Sequence, residues 1–229
     1  MTQRLWDEVD EYVQRTLLGH DAALAAAAEA SRAAGLPPIA VSPAQGRLLR
    51  LLAEIHGARR ILELGTLGGF STICLASALP PDGELLSLEA NPAYAEVAVA
   101  NIAAAGFAAR VEVRVGPALQ SLPLIASETA EPFDLVFIDA DKQSTPEYFR
   151  WALRLSRPGA VVITDNVVRD GALIDADSDD PGVQGMRAFH ELLAAEPRVD
   201  ATTIQTVGSK GYDGFTLARV TASVSASRS

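Results

Sequence analysis

The chain of 229 residues is 48% apolar and 21% charged, enough to bury one sizeable core and too few charges for general disorder. Its formal net charge of −10 repels nucleic-acid phosphates and anionic lipid, so neither is expected as a partner. The lone cysteine, Cys74, excludes an intrachain disulfide. With no apolar signal-peptide stretch and no run long enough to span a bilayer, the sequence predicts a cytoplasmic protein.

Leu5, Val9, Tyr12, Val13 and Leu17 share one helical stripe, which predicts a helix over 3–19. Gly19 punctuates it. An alanine-rich helix follows over 21–34, closed by Gly35 and by Pro37-Pro38, which forces an extended segment. Ser42-Pro43 has the form of an N-cap with proline at the first helical position, opening a helix to about His56. Then the rhythm changes. Strands over 60–64, 84–89, 111–115, 133–139 and 160–164 are interleaved with helices over 70–79, 92–105 and 145–156. Pro158-Gly159 reads as a turn before the last of these strands. Such alternation means parallel βαβ units in an open, doubly wound sheet.

Residues 170–182 are rich in Asp, Gly and Ser and read as a loop before a helix over 183–195. Two final strands, near 200–207 and 213–220, have a short link and so run antiparallel. The small, polar tail over 221–229 is expected to be disordered. The whole is an α/β chain with one Rossmann-like domain. Its N-terminal helices (1–57) belong to the same domain as the core (58–220), and no internal repeat is found.

In an open α/β sheet, ligands bind at the carboxyl ends of the strands. Here those ends read Glu63-Leu-Gly65-Thr66, Leu88-Glu89-Ala-Asn91, Gly116-Pro-Ala118, Asp139-Ala-Asp141-Lys142 and Asp165-Asn166. Gly65, Gly68 and Gly69 let backbone approach a ligand closely. The spacing lacks the second glycine of G-x-G-x-x-G, which disfavours a nicotinamide oxidoreductase. A carboxylate at Glu63 suits a cationic ligand, such as a sulfonium with an ammonium group; a plain packing turn is the other reading. Glu89 stands where an acid accepts from both ribose hydroxyls, or is a solvated strand-end acid.

Asp139, Asp165 and Asn166 close two very apolar strands. Oxygen donors of this kind suit a hard cation and leave positions for water and two substrate oxygens. Helix capping is the alternative use of the same residue types. Zinc is disfavoured, because His20, His56 and His190 are scattered and there is no H-E-x-x-H. Lys142, beside such a cation, is a candidate general base for a substrate hydroxyl; otherwise it is a surface lysine at a helix start.

Together these segments give the chain a resemblance to the cation-dependent O-methyltransferases, the group of catechol O-methyltransferase and caffeoyl-CoA O-methyltransferase. It runs from about Val41 to Val220 through Val41-Ser-Pro-Ala-Gln-Gly46, Leu62-Glu-Leu-Gly-Thr-Leu-Gly-Gly-Phe-Ser71, Gly116-Pro-Ala118, Phe137-Ile-Asp-Ala-Asp-Lys142 and Asp165-Asn166. The resemblance implies a mostly parallel seven-stranded sheet with an antiparallel last strand. It implies that Val41, Glu63, Gly65, Thr66 and Ser71 hold the methionine end of S-adenosylmethionine. Glu89 would bind its ribose, the Ala118 backbone its adenine, and Asp139 and Asp141 would lie on the cofactor side. Asp139, Asp165 and Asn166 would bind a divalent cation, with Mg²⁺ expected ahead of Mn²⁺ or Ca²⁺. Catalysis would rest on Lys142 as general base and on Asp139. A small phenolic substrate and a homodimer through the N-terminal helices are implied as partners.

Two segments depart from the family pattern. The stretch Thr206-Val-Gly-Ser-Lys-Gly-Tyr-Asp-Gly214 is longer than the family's compact hairpin. The run Asp175-Ala-Asp-Ser-Asp-Asp180 is strongly acidic. Placed at the substrate mouth, that run would repel an anionic coenzyme A thioester and favour a free phenol. A metal-independent methyltransferase and a non-catalytic S-adenosylmethionine-binding protein stay open as alternatives.

Overall fold

The computed structural model describes residues 2–128 and 131–221. Helix α1 (Gln3–Val13) runs into one π-helical turn, Gln14–Leu18, and stops at Gly19. Helix α2 (Ala22–Ala33) is capped by Asp21, whose carboxylate accepts the amides of Ala23 and Leu24. Helix α3 (Pro43–His56) is capped by Ser42 and closed by Gly57, with a left-handed φ of 67°. These local contacts satisfy the helix-end backbone groups that no intrahelical bond reaches.

The core follows as β1 (Arg60–Leu64), α4 (Phe70–Ala78), β2 (Glu84–Glu89), α5 (Pro92–Ala104), β3 (Val111–Val115), α6 (Ala118–Glu128), β4 (Phe133–Ile138), α7 (Thr145–Leu155), β5 (Ser156–Asp165), α8 (Pro181–Ala195), β6 (Val199–Gly208) and β7 (Gly211–Val220). The seven strands lie in the order β3-β2-β1-β4-β5-β7-β6. β1 to β5 pair in parallel, and β7 runs antiparallel to both β5 and β6. This is the doubly wound α/β architecture expected from the sequence.

Helices cover both faces, so the central strands must be apolar on both sides. Every residue of β4 is buried. Leu62, Leu64, Val136, Ile138 and Val162 face α6, α7 and α8. Ile61, Leu135, Phe137 and Ile163 face α3 and α4. Burial of a side chain of this size contributes about 1.5–3 kcal/mol. The strand ends are therefore held rigidly, which matters because the site is built on them.

Four details differ from the sequence reading. Helix α6 was not anticipated. Pro123 lies inside it and reads as a breaker, but Ser121, Leu122 and Ile125 pack into the core and stabilise the helix despite the lost amide. Pro158-Gly159 is not a turn between elements. It lies within β5, where the ladder passes from Phe133↔Ser156 to Leu135↔Val161 and the extra residues bulge, with Gly159 at a φ of 86°. The last hairpin is tighter still than the short link read over 208–212. Its ladder continues to Gly208↔Gly211, leaving Ser209-Lys210 as a two-residue turn. The loop over 170–182 contains a 3₁₀ turn at Ala172–Ile174, and Asp180 caps α8 two residues earlier than expected.

Helix α1 clasps that hairpin: Gln3 Nε2 donates to the Gly208 carbonyl at 3.0 Å, and Asp10 Oδ2 accepts the Ser209 amide at 2.7 Å. The expected disordered tail, residues 222–229, lies outside the described residues. Among those described, no helix is long and apolar enough to cross a membrane.

Candidate active site

A cavity of about 1030 Å³ opens where β1, β2, β4 and β5 end. Val41, Gly65, Thr66, Ser71, Glu89, Ala118, Asp139, Asp141, Lys142 and Asn166 all line it. Two expected residues, Glu63 and Asp165, do not, and both lie buried behind the wall.

The loop after β1 is threaded between its neighbours. The Gly65 amide donates to the Leu88 carbonyl, and the Asp139 amide to the Leu64 carbonyl. Gly65 has a φ of 95°, and a Cβ there would lie 2.0 Å from the Asp139 carbonyl oxygen. Only glycine fits. Glu89 fixes the loop from the other side. Its Oε2 accepts the amides of Thr66 at 3.2 Å and Leu67 at 2.8 Å, and its Oε1 accepts the Asn91 amide at 2.8 Å. Leu67 is held at a φ of 50°, a conformation that costs free energy for a non-glycine residue.

Glu63 is fully buried and accepts from three hydroxyls: Ser71 at 2.7 Å, Thr72 at 2.5 Å and Ser87 at 2.7 Å. Burial pushes its carboxyl up to about 7, the hydroxyls pull it down, and the Asp139 charge adds to the rise. Glu63 thus acts on the cavity through the start of α4, which carries Ser71. Asp141 accepts the Tyr148 hydroxyl and, at 3.0 Å, the Ser144 amide. Burial would raise its carboxyl, but these donors outweigh it and hold the group below its usual range.

On the neighbouring strands, Ile138 pairs with Thr164, so Asp139 and Asp165 leave the sheet side by side. Lys142 Nζ donates to Asp139 Oδ1 at 2.7 Å. Asp165 accepts Gln45 Nε2 at 2.6 Å and the Asn166 amide at 2.8 Å. Burial and then the Asp139 charge push its carboxyl up to about 7, against the pull of Lys142. Asn166 turns the chain at a left-handed φ of 54°, which asparagine tolerates better than most residues. Two carboxylates and an amide thus share a corner with one cation, Lys142. No group of three His, Cys, Asp or Glu side chains able to hold a metal occurs among the described residues; the third donor here is an amide. An all-oxygen set with unbalanced negative charge fits a hard divalent cation.

A family model described as O-methyltransferase matches residues 19–221. This chain belongs to that family. The methyltransferase is 54% identical over 213 residues to a catechol O-methyltransferase of Mycobacterium tuberculosis, covering 93% of this chain and 95% of that one. It is 50% identical over 220 residues to a catechol O-methyltransferase of Niastella koreensis, covering 96% and 100%. Among solved structures, an O-methyltransferase of Bacillus cereus in complex with S-adenosylhomocysteine superposes with a TM-score of 0.95 at 56% identity, covering 96% and 100%. TomG of Streptomyces achromogenes, involved in tomaymycin synthesis and in complex with S-adenosylmethionine, gives 0.94 at 56%, covering 97% and 100%.

Sequence reasoning missed several residues of the methyltransferase site. Gln45 sits inside the Val41–Gly46 motif, yet only the fold shows it reaching β5. Thr72 and Ser87 are signalled weakly, as hydroxyls in otherwise apolar elements. Tyr94, Tyr148 and Arg169 line the cavity without any motif, and Lys210 lines it from the 206–214 stretch that departs from the family pattern. The acidic run is corrected in place: none of residues 175–180 lines the cavity, whereas Arg32, Arg169 and Lys210 do. The repulsion argument against anionic acceptors therefore has no geometric basis.

Proposed function

We propose that this enzyme moves the methyl group of S-adenosylmethionine to one hydroxyl of a small catechol-like phenol, with a divalent cation bound by Asp139, Asp165 and Asn166. The observation that carries the reading is the oxygen corner beside Lys142, in one cavity with the Gly65 loop and Glu89. Its relatives named catechol O-methyltransferase support the acceptor class. When bound, the cation, Mg²⁺ ahead of Mn²⁺ or Ca²⁺, supplies Lewis-acid stabilisation of the developing phenolate.

The chain's own residues do the rest. Val41, Thr66 and Ser71 hold the methionine end of the cofactor, Glu89 its ribose, the Ala118 backbone its adenine, and Asp141 steadies the cofactor side. Lys142 takes the phenolic proton at Nζ. The phenolic oxygen forms its bond to the methyl carbon as the carbon–sulfur bond breaks, and that pair stays on sulfur as a neutral thioether. Holding donor and acceptor in line supplies much of the rate. The reading includes a homodimer through α1, supported by the exposed apolar stripe of Leu5, Val9 and Tyr12.

The test is methylation of catechols with and without Mg²⁺, on the parent and on Asp139→Ala. We expect a chelator and the substitution each to remove turnover. Activity that survives both overturns the metal role.

A further inference from the structure

The side chain of Gln45 goes where its place in the chain does not call for it. Gln45 is the third residue of α3, and Ser42-Pro-Ala-Gln45 has the spacing of a capping box. In that motif the N-cap hydroxyl accepts the amide three residues on, and the glutamine folds back to the amide of the N-cap. The Ser42 hydroxyl does its part, accepting the Gln45 amide at 3.2 Å. Gln45 does not return the bond. Its Nε2 instead donates to Asp165 Oδ2 at 2.6 Å, across the chain to the end of β5. A local signal overridden in this way marks a demand from elsewhere in the fold.

The backbone that carries Gln45 is pinned. Gly46, the next residue, is buried against α4, where an added Cβ would lie 2.8 Å from Cys74 Sγ and 3.1 Å from the Phe70 ring. Leu49 and Ala53 anchor the following turns in the core. The other long polar side chains at this end of α3 serve the N-terminal layer: Arg47 donates to the Leu18 carbonyl, and Arg50 pairs with Glu54 within the helix. Gln45 alone turns toward the sheet. It does not line the cavity, so neither cofactor nor acceptor touches it.

At the other end of the bond, Asp165 is 4% exposed and carries one donor on each oxygen. The Asn166 amide serves Oδ1 at 2.8 Å, and Gln45 serves Oδ2. The Asn166 amide belongs to the turn itself, so Gln45 is the one side-chain donor to Asp165 among the described residues. Charge-assisted bonds on both oxygens keep the carboxylate from turning about its Cβ–Cγ bond. Each oxygen still has a lone pair to offer. Only an amide nitrogen can face an ionised carboxylate at this distance, so the orientation of the Gln45 amide is fixed as well.

We propose that Gln45 is a positioning residue for the divalent cation: it locks the Asp165 carboxylate in one orientation without touching cation, cofactor or acceptor. This rests on the metal site proposed above and extends it to α3. Partners that orient a metal ligand in this way typically carry about 10–100-fold in metal affinity.

The experiment titrates Mn²⁺ alone into the parent protein, Asp139→Ala, Gln45→Met and Gln45→Asn, counting free Mn²⁺ by electron paramagnetic resonance. Methionine keeps the length and removes the donor. Asparagine keeps the donor and shortens its reach by one methylene. Melting temperature without metal and S-adenosylhomocysteine affinity by calorimetry are measured alongside. We expect both Gln45 variants to bind Mn²⁺ about 10–100-fold more weakly than the parent, with melting temperature and S-adenosylhomocysteine affinity nearly unchanged. In turnover on a catechol, the KM for Mg²⁺ should rise, while kcat at saturating Mg²⁺ returns close to the parent value, because the ligands themselves are intact. If the parent binds no Mn²⁺, or Asp139→Ala binds it equally well, the metal site itself fails and this proposal with it. If Asp139→Ala loses Mn²⁺ but the Gln45 variants bind it like the parent, only the role of Gln45 fails. A fall in melting temperature or in S-adenosylhomocysteine affinity with Mn²⁺ affinity intact would make Gln45 a part of the fold alone, and also overturns it. Should Gln45→Met not fold, Gln45→Asn decides on the same readings.

Discussion

The two halves of the cavity are built on different terms. At the ends of β1 and β2, the polar groups are satisfied from within. Glu63 accepts three hydroxyls and Glu89 three amides. At the ends of β4 and β5, charges are crowded and positive φ is more frequent, at three non-glycine residues against Leu67 alone in the other half. Asp165 is pushed up beside Asp139; Asn166, Arg169 and Asp170 all have positive φ; and the buried Arg169 Nε has no hydrogen-bond partner among the described residues. A saturated half is preorganised and accepts its ligand with little rearrangement. The other half has its polar needs left over, and these are needs that ligands can meet. On the proposed function, the first half holds the cofactor and the second gathers cation and acceptor.

The sharpest way to break this contrast is to change one strand end in each half. Asp165→Asn keeps the size of the side chain and removes a charge the cation would use. We expect kcat to fall by at least about 100-fold, in the range seen when metal-site residues are lost, while cofactor affinity by calorimetry stays within about twofold. Weakened cofactor binding would show that the halves are not separable. Gly65→Ala attacks the other half. The Cβ meets the Asp139 carbonyl at 2.0 Å, in a backbone conformation alanine rarely adopts. We expect a loss of about 2–4 kcal/mol in urea denaturation together with loss of cofactor binding. A milder probe is Glu89→Gln, whose amide nitrogen faces a backbone N–H wherever it is placed. About 1–3 kcal/mol of cofactor affinity should go, with cation affinity unchanged.

The contrast also explains what could be read in advance. The saturated half was legible, because its signals are local. A glycine at Gly65, an acid ending β1 and another ending β2 can each be recognised from chain position. The oxygen corner was legible too, since Asp139 and Asp165-Asn166 close two apolar runs that had to be neighbours. What stayed hidden depends on contacts distant in sequence. Gln45 reaches Asp165 across 120 residues of chain. Arg169 stands out only once the fold buries its Nε without a partner among the described residues. The acidic run over 175–180 misled for the same reason: its composition was plain, but its distance from the cavity was not. Helix α6 was missed because Pro123 is a local signal overruled by packing.

The most gradual expected effect concerns pH and tests whether saturation of Glu63 is complete. Its folded carboxyl titrates at about 7, against an ordinary value of 4.5. Between these values the folded protein holds a proton that the unfolded chain has released. Stability should therefore be greatest below about 4.5 and fall as pH rises to about 7, then level off. One proton gives a slope of at most about 1.4 kcal/mol per pH unit. Asp165 titrates in the same window, so the measurement belongs in the Asp165→Asn background. There, Glu63→Gln keeps the shape, and the Ser71, Thr72 and Ser87 hydroxyls can rotate to accept from its amide. The difference between the two proteins in urea unfolding free energy, followed from pH 4.5 to 8, isolates Glu63. We expect that difference to drift toward the Gln variant as pH rises. A flat difference would mean that the three hydroxyls fully offset burial, and that the cofactor half tolerates a buried charge without strain.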